Sequence, residues 1–290
     1  MSSLIVRAPE LAGELARGEA PRLLDVRWRL DRPEGRIDYL EGHIPGAAYV
    51  DLERELSAPG SPDEGRHPLP AASDFGAAVR RWGISDGDRV VVYDDNDGVP
   101  AARAWWLLRQ HGIAARVLDG GLRAWLRHGL RLERGDVSPR PGRWSGVPAG
   151  VGLAEAIATI DDAALAPHSG VLVDVRAPQH YRGTVTGLDP AAGHIPGAVN
   201  LPTVTHIGAD GLLRHPDEIA ASLVSAGVGG DRDVVVYCSS GIPSMHSALA
   251  FELAGIRPRV FVGSWSLWSR SPGRPVAIGA SPADTVVAAY

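Results

Sequence analysis

Short apolar runs alternate along the chain with stretches in which apolar residues recur every three or four positions. The short β-branched runs predict buried strands, and the longer spacing predicts helices that pack on them. Strands are predicted at 22–26, 90–93, 115–118, 171–175, 234–237 and 259–262. Helices are predicted at 8–17, 74–82, 99–111, 121–128, 152–160, 216–226, 243–254 and 264–270. The alternation indicates an α/β fold with mostly parallel sheets, each flanked by helices on both faces.

The same pattern occurs twice. Leu-Leu-Asp-Val-Arg at 23–27, Gly-His-Ile-Pro-Gly-Ala at 42–47 and Leu-Asp-Gly-Gly-Leu-Arg-Ala-Trp at 118–125 return in the same order, in similar form, at 172–176, 193–198 and 261–268. We therefore predict two domains, at 1–137 and 151–275, with a proline- and glycine-rich linker at 138–150 and a tail at 276–290. A proline- and glycine-rich stretch at 57–70 has no counterpart in the second copy and is predicted to be a surface loop.

Charge and cysteine content narrow the range of partners. The 290-residue chain has a formal net charge of −5 and one cysteine. This charge offers no basic footprint for nucleic acid or an anionic membrane, so neither is expected as a partner. No run approaches the roughly 18 apolar residues of a membrane span, and Arg7 and Pro9 interrupt the start of the chain, which does not resemble a signal peptide. A lone cysteine cannot form an internal disulfide, so we expect a cytoplasmic protein.

That cysteine, Cys238, directly follows the predicted strand 234–237 and precedes small residues and a predicted helix. A thiol at such a strand end can be surrounded by backbone N–H groups that stabilise a thiolate or another anion. The first copy has the same strand and loop, but Asp94 stands where the cysteine would be. Only the second copy therefore carries a nucleophile, although an inert buried thiol is the alternative for any single cysteine.

The paired motifs, together with Tyr-Cys-Ser-Ser-Gly at 237–241 and Gly-Ser-Trp-Ser-Leu-Trp at 263–268, resemble tandem-domain rhodaneses. These are the thiosulfate and 3-mercaptopyruvate sulfurtransferases. The resemblance extends over residues 4–275 and implies two rhodanese-like domains, of which the first is catalytically silent. It also implies that Cys238 takes a sulfane sulfur from a small-molecule donor as a persulfide and passes it to a thiol or cyanide, with a thioredoxin-like reductant as one acceptor. No cofactor and no metal are expected.

The loop after the cysteine provides the candidate binding groups. Backbone N–H groups and hydroxyls between Ser239 and Ser244 would cradle the anionic persulfide. The substrate-binding residues predicted in this loop are Ser239, Ser240, Gly241, Ile242 and Ser244. Thiosulfate-selective members carry cations directly after the cysteine, whereas this loop is neutral, which favours 3-mercaptopyruvate. Pro243 removes one N–H from the loop, which either weakens anion binding or falls at a group that was never used.

Three further residues are predicted to bind the donor. The family commonly has an arginine at the position of His180, and Arg182 is retained nearby. A histidine is only partly charged at neutral pH, so capture of an anionic donor would be shared with Arg182, for which a structural ion pair is the alternative. The resemblance also makes His43 a candidate that faces the active site from the first domain.

Other polar residues are interpreted as structural. Asp25 with Arg27 and Asp174 with Arg176 are expected to form buried ion pairs, and His194 is expected to be structural. The acidic cluster Asp94, Asp95 and Asp97 is interpreted as a solvated vestigial loop. The tryptophans are expected in the core or in a pocket wall, at Trp105, Trp106, Trp125, Trp265 and Trp268.

Two other functions compete with sulfur transfer. The altered loop and the histidine at position 180 would also suit a persulfide carrier or partner-binding module with little or no catalysis. A cysteine phosphatase needs an arginine shortly after the cysteine to bind phosphate. The stretch 239–254 contains none, which argues strongly against that chemistry.

Overall fold

The structure is a computed structural model, which describes residues 3–146, 153–229, 232–282 and 286–287. The described residues form two compact units. Unit 1 lies within Met1–Ala58, Leu69–Leu153 and Ala209–Leu213, and unit 2 within Pro59–Pro68, Ala154–Gly208 and Arg214–Tyr290. Each unit therefore includes a short segment from the opposite half of the sequence.

Unit 1 is built on a five-stranded parallel sheet. Its strands are β1 (Ile5–Val6), β2 (Arg22–Asp25), β3 (Ala48–Tyr49), β4 (Arg89–Tyr93) and β5 (Ala114–Leu118), in the order β1-β5-β4-β2-β3. Its helices are α1 (Ala8–Ala16), α2 (Arg36–Glu41), α3 (Leu52–Glu55), α4 (Ala72–Arg81), α5 (Val99–Gln110) and α6 (Gly121–Arg127). Strand β4 lies inside the sheet with four of its five residues buried, which explains its continuous apolar run.

Unit 2 repeats this order on a four-stranded parallel sheet. Its strands are β6 (Val171–Asp174), β7 (Val199–Asn200), β8 (Val234–Tyr237) and β9 (Arg259–Val260), in the order β7-β6-β8-β9, with a separate antiparallel pair β10 (Val276–Ala277) and β11 (Val286–Val287). Its helices are α7 (Leu153–Ala156), α8 (Ile160–Ser169), α9 (Pro178–Tyr181), a 3-10 helix (Thr203–His206), α10 (Pro216–Ser225), α11 (Pro243–Leu253) and α12 (Ser264–Trp268). The first residue of α7 lies at the boundary with unit 1. A single parallel bridge from Ile157 to Val260 takes the place that β1 has beside β5.

The α/β fold with two parallel sheets is confirmed, and the predicted strands agree with the observed ones within a residue or two. The two-residue strands β1, β3 and β7 were not predicted, because two residues cannot show a periodic pattern. The helix predicted at 152–160 is wrong in extent, and residues 151–152 lie outside the described residues. Helix α7 ends at Ala156, and a capping box between Thr159 and Asp162 starts α8, which was not predicted.

The repeated Asp-x-Arg and Gly-His-Ile-Pro motifs are connected inside each unit. Arg27 binds Asp25 through Nη2 at 2.6 Å and also donates to the carbonyl of Gly42. In unit 2 Arg176 binds Asp174 at the same distance and donates to the carbonyl of Gly193. Burial alone would lower the pKa of Arg176, but Asp174 more than offsets this and the pKa is raised. The predicted buried ion pairs are confirmed.

The stretch predicted as a surface loop at 57–70 differs from that description. Residues 59–68 belong to unit 2, and Gly65, His67 and Pro68 are buried. A Cβ on Gly65 would lie 2.7 Å from Oγ of Ser266, so this segment packs closely against α12. The predicted linker at 138–150 is described only to residue 146, and its Trp144 is buried in unit 1; residues 147–150 lie outside the described residues. The predicted tail at 276–290 contains β10 and β11, and its residues 283–285 and 288–290 lie outside them as well.

Among the described residues, none of the helices combines the length and hydrophobicity that a bilayer crossing requires.

Candidate active site

Cys238 directly follows β8, at the carboxyl end of a strand inside the sheet of unit 2. The four residues of β8 are buried, and so is the thiol. In a parallel sheet this edge faces the loops and helix starts that follow the strands, where ligands ordinarily bind. The strand-end position predicted from the apolar run is therefore confirmed.

Three polar groups surround the sulfur. The N–H of Gly241 donates to Sγ at 3.0 Å, in a turn that requires the positive φ of 85° at this glycine. The thiol donates to Oγ of Ser244 at 3.5 Å, in the first turn of α11. Oγ of Ser264 lies 3.7 Å from Sγ. The structure thus brings Gly241 and Ser244, two of the predicted loop residues, onto the sulfur.

Ser264 was not found by sequence reasoning. Its hydroxyl accepts the N–H of Cys238 at 3.2 Å and donates to the carbonyl of Phe261 at 2.8 Å. Its backbone has a φ of 52°, which side chains rarely adopt. The corresponding residue of unit 1 is Gly121, with a φ of 55°. The sequence signal for this left-handed turn was therefore the glycine at position 121, since the serine at position 264 does not indicate it. A serine kept in this conformation indicates that its side chain is used.

The remaining loop residues hold the turn in place. The carbonyl of Ser239 accepts the N–H of Ser266 at 2.9 Å, which ties the loop to α12. Ser240 and Ile242 are buried. Pro243 is the first residue of α11, where a missing N–H is tolerated.

The matching loop of unit 1 shows what such a turn can bind. The carboxylate of Asp94 accepts the N–H groups of Asn96, Gly98 and Ala101 at 2.7, 2.9 and 2.8 Å. Burial raises the pKa of Asp94 to about 6, although these three N–H groups lower it. The interpretation of Asp94 as part of a solvated loop is therefore wrong, because its side chain is fully buried. The loop of unit 1 is an anion cradle that its own aspartate fills.

The counterpart of Pro243 in unit 1 shows whether the N–H that proline lacks would contact a bound anion. In the repeat Val99 corresponds to Pro243, and the N–H of Val99 donates to the carbonyl of Asn96 at 3.2 Å, not to Asp94. The N–H that Pro243 lacks is therefore not one that contacts the anion in the unit 1 cradle.

A cationic cluster in unit 2 was also missed. Arg66 and Arg270 both bind Oδ1 of the buried Asp189. Both also contact Ser266: the N–H of Arg66 donates to its Oγ at 3.1 Å, and Nη1 of Arg270 donates to its carbonyl at 2.6 Å. Since Ser266 also holds the carbonyl of Ser239, the cluster is connected to the cysteine loop.

The predicted donor-binding residues have other described contacts. Arg182 is exposed, with its backbone bonded to Pro178 and Gly279 and no described side-chain contact to the cysteine loop. His180 is half-buried against the turn at Gly187. Their role in donor binding stays a prediction.

His43 is fully buried in unit 1. Its Nδ1 lies 2.9 Å from the carbonyl of Tyr39, and its ring stacks on that tyrosine at 4.1 Å. In unit 2 His194 and Tyr181 repeat this arrangement at 2.8 and 3.7 Å. The burial and contacts of His194 agree with a structural role, and both this role and a catalytic role for His43 stay predictions.

Within the described ranges, no group of three or more His, Cys, Asp or Glu side chains is arranged to hold a metal ion.

Comparison with known proteins identifies the family. A model of the rhodanese-like domain matches twice, at residues 8–128 and 153–271. A Mycobacterium tuberculosis protein named as a thiosulfate sulfurtransferase, SseB, is 42% identical over 95% of this chain and 97% of its own. A Pseudomonas aeruginosa protein named as a 3-mercaptopyruvate sulfurtransferase is 41% identical over 96% and 99%. The crystal structure of SseA from Escherichia coli, a 3-mercaptopyruvate enzyme, matches with a TM-score of 0.78 and 33% identity, covering 91% of this chain and all of the other. The chain belongs to the rhodanese family and is a sulfurtransferase.

Proposed function

We propose that Cys238 accepts a sulfane sulfur from 3-mercaptopyruvate, carries it as a persulfide and transfers it to a thiol or to cyanide. The observation that carries this proposal is the set of polar groups at Sγ, namely the N–H of Gly241, which donates to the sulfur, and the hydroxyls of Ser244 and Ser264, which lie within 3.7 Å of it. A backbone N–H that points at the sulfur is a group that can bind a negative charge on it.

The reaction balances with one cysteine. The thiolate attacks the donor sulfur, an S–S bond forms, and the C–S bond breaks with its electron pair going to carbon. The resulting enolate of pyruvate takes the proton from the new persulfide, which leaves Cys238 as an anionic persulfide. An acceptor thiolate or cyanide then attacks the outer sulfur and releases the Cys238 thiolate.

The outer sulfur of the persulfide needs its own donors. The donors of the unit 1 cradle suggest which ones, because the N–H groups of Asn96, Gly98 and Ala101 that bind Asp94 correspond in the repeat to those of Ser240, Ile242 and Met245. Of these, the N–H of Met245 donates to the carbonyl of Ile242 at 3.1 Å, so we assign the N–H groups of Ser240 and Ile242 to the outer sulfur. Pro243 then costs the site nothing, since the corresponding N–H of unit 1 does not bind the anion.

For the donor, the neutral residues Ser239 and Ser240 favour a monoanion over the dianion thiosulfate. The named relatives do not decide between the two, because proteins of nearly equal identity are named for each donor. We propose that Arg66, from the cluster at Ser266, binds the carboxylate of mercaptopyruvate, with Arg182 and His180 as further contacts at the entrance. A guanidinium is suited to a planar carboxylate because it can donate two parallel hydrogen bonds.

The acceptor in the cell is proposed to be a thiol, including that of a thioredoxin-like dithiol protein. The lone cysteine is consistent with a cytoplasmic setting, where thiols stay reduced.

Intact mass spectrometry and steady-state assays test the proposal together. Incubation with 3-mercaptopyruvate should add the mass of one sulfur atom to the wild type and none to Cys238→Ala, and cyanide should remove it. Ser247→Ala, which removes a buried hydroxyl elsewhere on α11, should behave as the wild type. Sulfur transfer by Cys238→Ala at the wild-type rate would refute the assignment. A persulfide that forms but reaches neither cyanide nor a thiol would instead support the carrier function.

Arg66 has a separate test. Arg66→Gln should raise the KM for mercaptopyruvate about ten-fold or more, the effect of losing a charge-assisted hydrogen bond. The matched control is Arg274→Gln, since Arg274 is ion-paired with Asp161 in the same unit. An unchanged KM would remove Arg66 from the donor site.

A further inference from the structure

Asp189 neutralises one of two arginines beside the active-site loop. Its Oδ1 accepts from Nη1 of Arg66 and from Nη1 of Arg270, the latter at 2.9 Å. Only 5% of the Asp189 side chain is exposed, whereas the two arginine side chains are 22% and 28% exposed. The carboxylate is thus enclosed, and the two guanidiniums remain partly open to solvent.

The three groups carry a net single positive charge. Arginine stays protonated in proteins, so two guanidiniums and one carboxylate leave one positive charge uncompensated. Asp189 does not use every donor, since Nε of Arg66 is buried with no partner among the described residues. The cluster therefore retains both charge and hydrogen-bonding capacity for one more anionic group.

The cluster is fixed to the cysteine loop by three hydrogen bonds at one residue. Ser266 receives the N–H of Arg66 on its hydroxyl and Nη1 of Arg270 on its carbonyl. Its own N–H holds the carbonyl of Ser239, the residue after the nucleophile. The cluster is therefore tied by hydrogen bonds to the loop that holds Cys238, in a partly buried setting where charges are weakly screened.

We infer that Asp189 is a specificity-determining residue that sets the cluster of Arg66, Arg270 and Asp189 to a single positive charge and so favours a donor with one negative charge over a donor with two. This rests on the proposed role of Cys238 and names the basis of its choice of donor. With Asp189 charged, a monoanion such as mercaptopyruvate offsets the net charge of the cluster, whereas thiosulfate brings a second charge that has no counterpart in the cluster. Without that carboxylate the cluster would carry two positive charges and match thiosulfate.

The test is the ratio of kcat/KM for thiosulfate to kcat/KM for 3-mercaptopyruvate, with cyanide as acceptor at one pH and ionic strength. This ratio does not depend on the fraction of folded enzyme, so a partly unstable variant still gives an answer. Asp189→Asn should raise the ratio about ten-fold, because the second charge of thiosulfate gains one more favourable interaction in a partly buried site. Arg270→Gln leaves the cluster neutral and should lower the ratio by a similar factor.

Two controls preserve the charge of the cluster. Asp189→Glu keeps the carboxylate, and Asp161→Asn removes one that pairs with Arg274 elsewhere in unit 2. Both should stay within about two-fold of the wild-type ratio, which corresponds to less than about 0.5 kcal/mol. A ratio for Asp189→Asn equal to that of the wild type would overturn the inference. Absence of turnover by the wild type with either donor would instead refute the proposed function.

Discussion

Two buried histidines make unit 2 sensitive to acid. His206, at the end of the 3-10 helix, and His246, on α11, are both fully buried. Both ring nitrogens of His206 and Nε2 of His246 have no hydrogen-bond partner among the described residues. Burial lowers the pKa of His206 to about 4, helped by Arg214, and that of His246 to about 3, helped by His206. We predict that the free energy of unfolding of unit 2 falls at pH values well above these two pKa values, because the unfolded state takes up protons there.

The direction and size of this loss of stability follow from the difference in histidine pKa between the folded and the unfolded state. An unfolded histidine titrates near 6.5, so above that pH neither state binds the proton and the full stability is present. As pH falls from about 6.5 toward the folded-state values, the unfolded state gains protons that the folded state refuses, and stability is lost. At pH 5 the loss is about 2 kcal/mol for each histidine, a large share of the roughly 5–15 kcal/mol that stabilises a domain.

His206→Phe is the variant that isolates the effect. It removes one titrating ring and its two unpartnered nitrogens and keeps an aromatic ring edge-on to Phe251, which His206 faces at a centroid distance of 5.6 Å. Urea unfolding at pH 7.5 and at pH 5, followed by hydrogen exchange of residues 243–253, reports on unit 2 alone. Between these two pH values the variant should lose about 2 kcal/mol less than the wild type.

The control is His168→Gln, because His168 is exposed on α8 of the same unit. It should show the pH dependence of the wild type. If His206→Phe and the wild type lose the same stability between pH 7.5 and 5, the burial argument for this histidine is refuted.

Three further predictions concern the turns at the two strand ends. Ser264→Gly relieves a left-handed backbone, a gain of about 1 kcal/mol, but it also removes the hydroxyl that accepts the buried N–H of Cys238, a loss of about 1 kcal/mol or more, so the unfolding midpoint should not rise. It should slow alkylation of Cys238 by iodoacetamide about ten-fold through loss of a hydroxyl near the thiolate; equal alkylation rates would show that the hydroxyl is idle. Gly121→Ala should destabilise unit 1 by about 3 kcal/mol, because its Cβ would lie 2.3 Å from the carbonyl oxygen of Asp94, whereas Gly87→Ala meets open space and should cost about 1 kcal/mol in urea unfolding. The raised pKa of Asp94 gives a contribution to stability that is present below about pH 4 and is lost as pH rises through about 6; Asp94→Asn should abolish that slope in unit 1, and an unchanged pH profile would contradict it.

The sequence was sufficient for features that are local or repeated. Cys238 could be found because a buried strand, a turn and a helix start follow one another directly. The ion pair of Asp174 with Arg176 was equally accessible, since the two residues are only two positions apart. The repeat then identified Asp94 as the counterpart of the cysteine, and so led to the prediction that unit 1 is silent and unit 2 is reactive.

Contacts made by distant parts of the chain could not be predicted. Ser264 reaches the sulfur from the turn after β9, and its significance depends on a backbone angle that a sequence does not display. Arg66 joins unit 2 from a segment in the first half of the chain. The exposure of Asp94 was predicted wrongly because a run of acidic residues usually lies on the protein surface. Here Asp95 and Asp97 are at least partly exposed, whereas Asp94 is buried.

The exchange of segments has a consequence for the history of this chain. A duplicated domain is at first dispensable, because each copy contains everything needed for its own fold. Here residues 59–68 belong to unit 2, which carries Cys238, and residues 209–213 belong to unit 1, where Leu213 donates its N–H to Asp119 at 2.8 Å. Deletion of either half of the chain would therefore remove a segment that belongs to the unit formed mainly by the other half. The first half of the chain is therefore needed to complete the unit that carries Cys238, whether or not it performs any chemistry of its own.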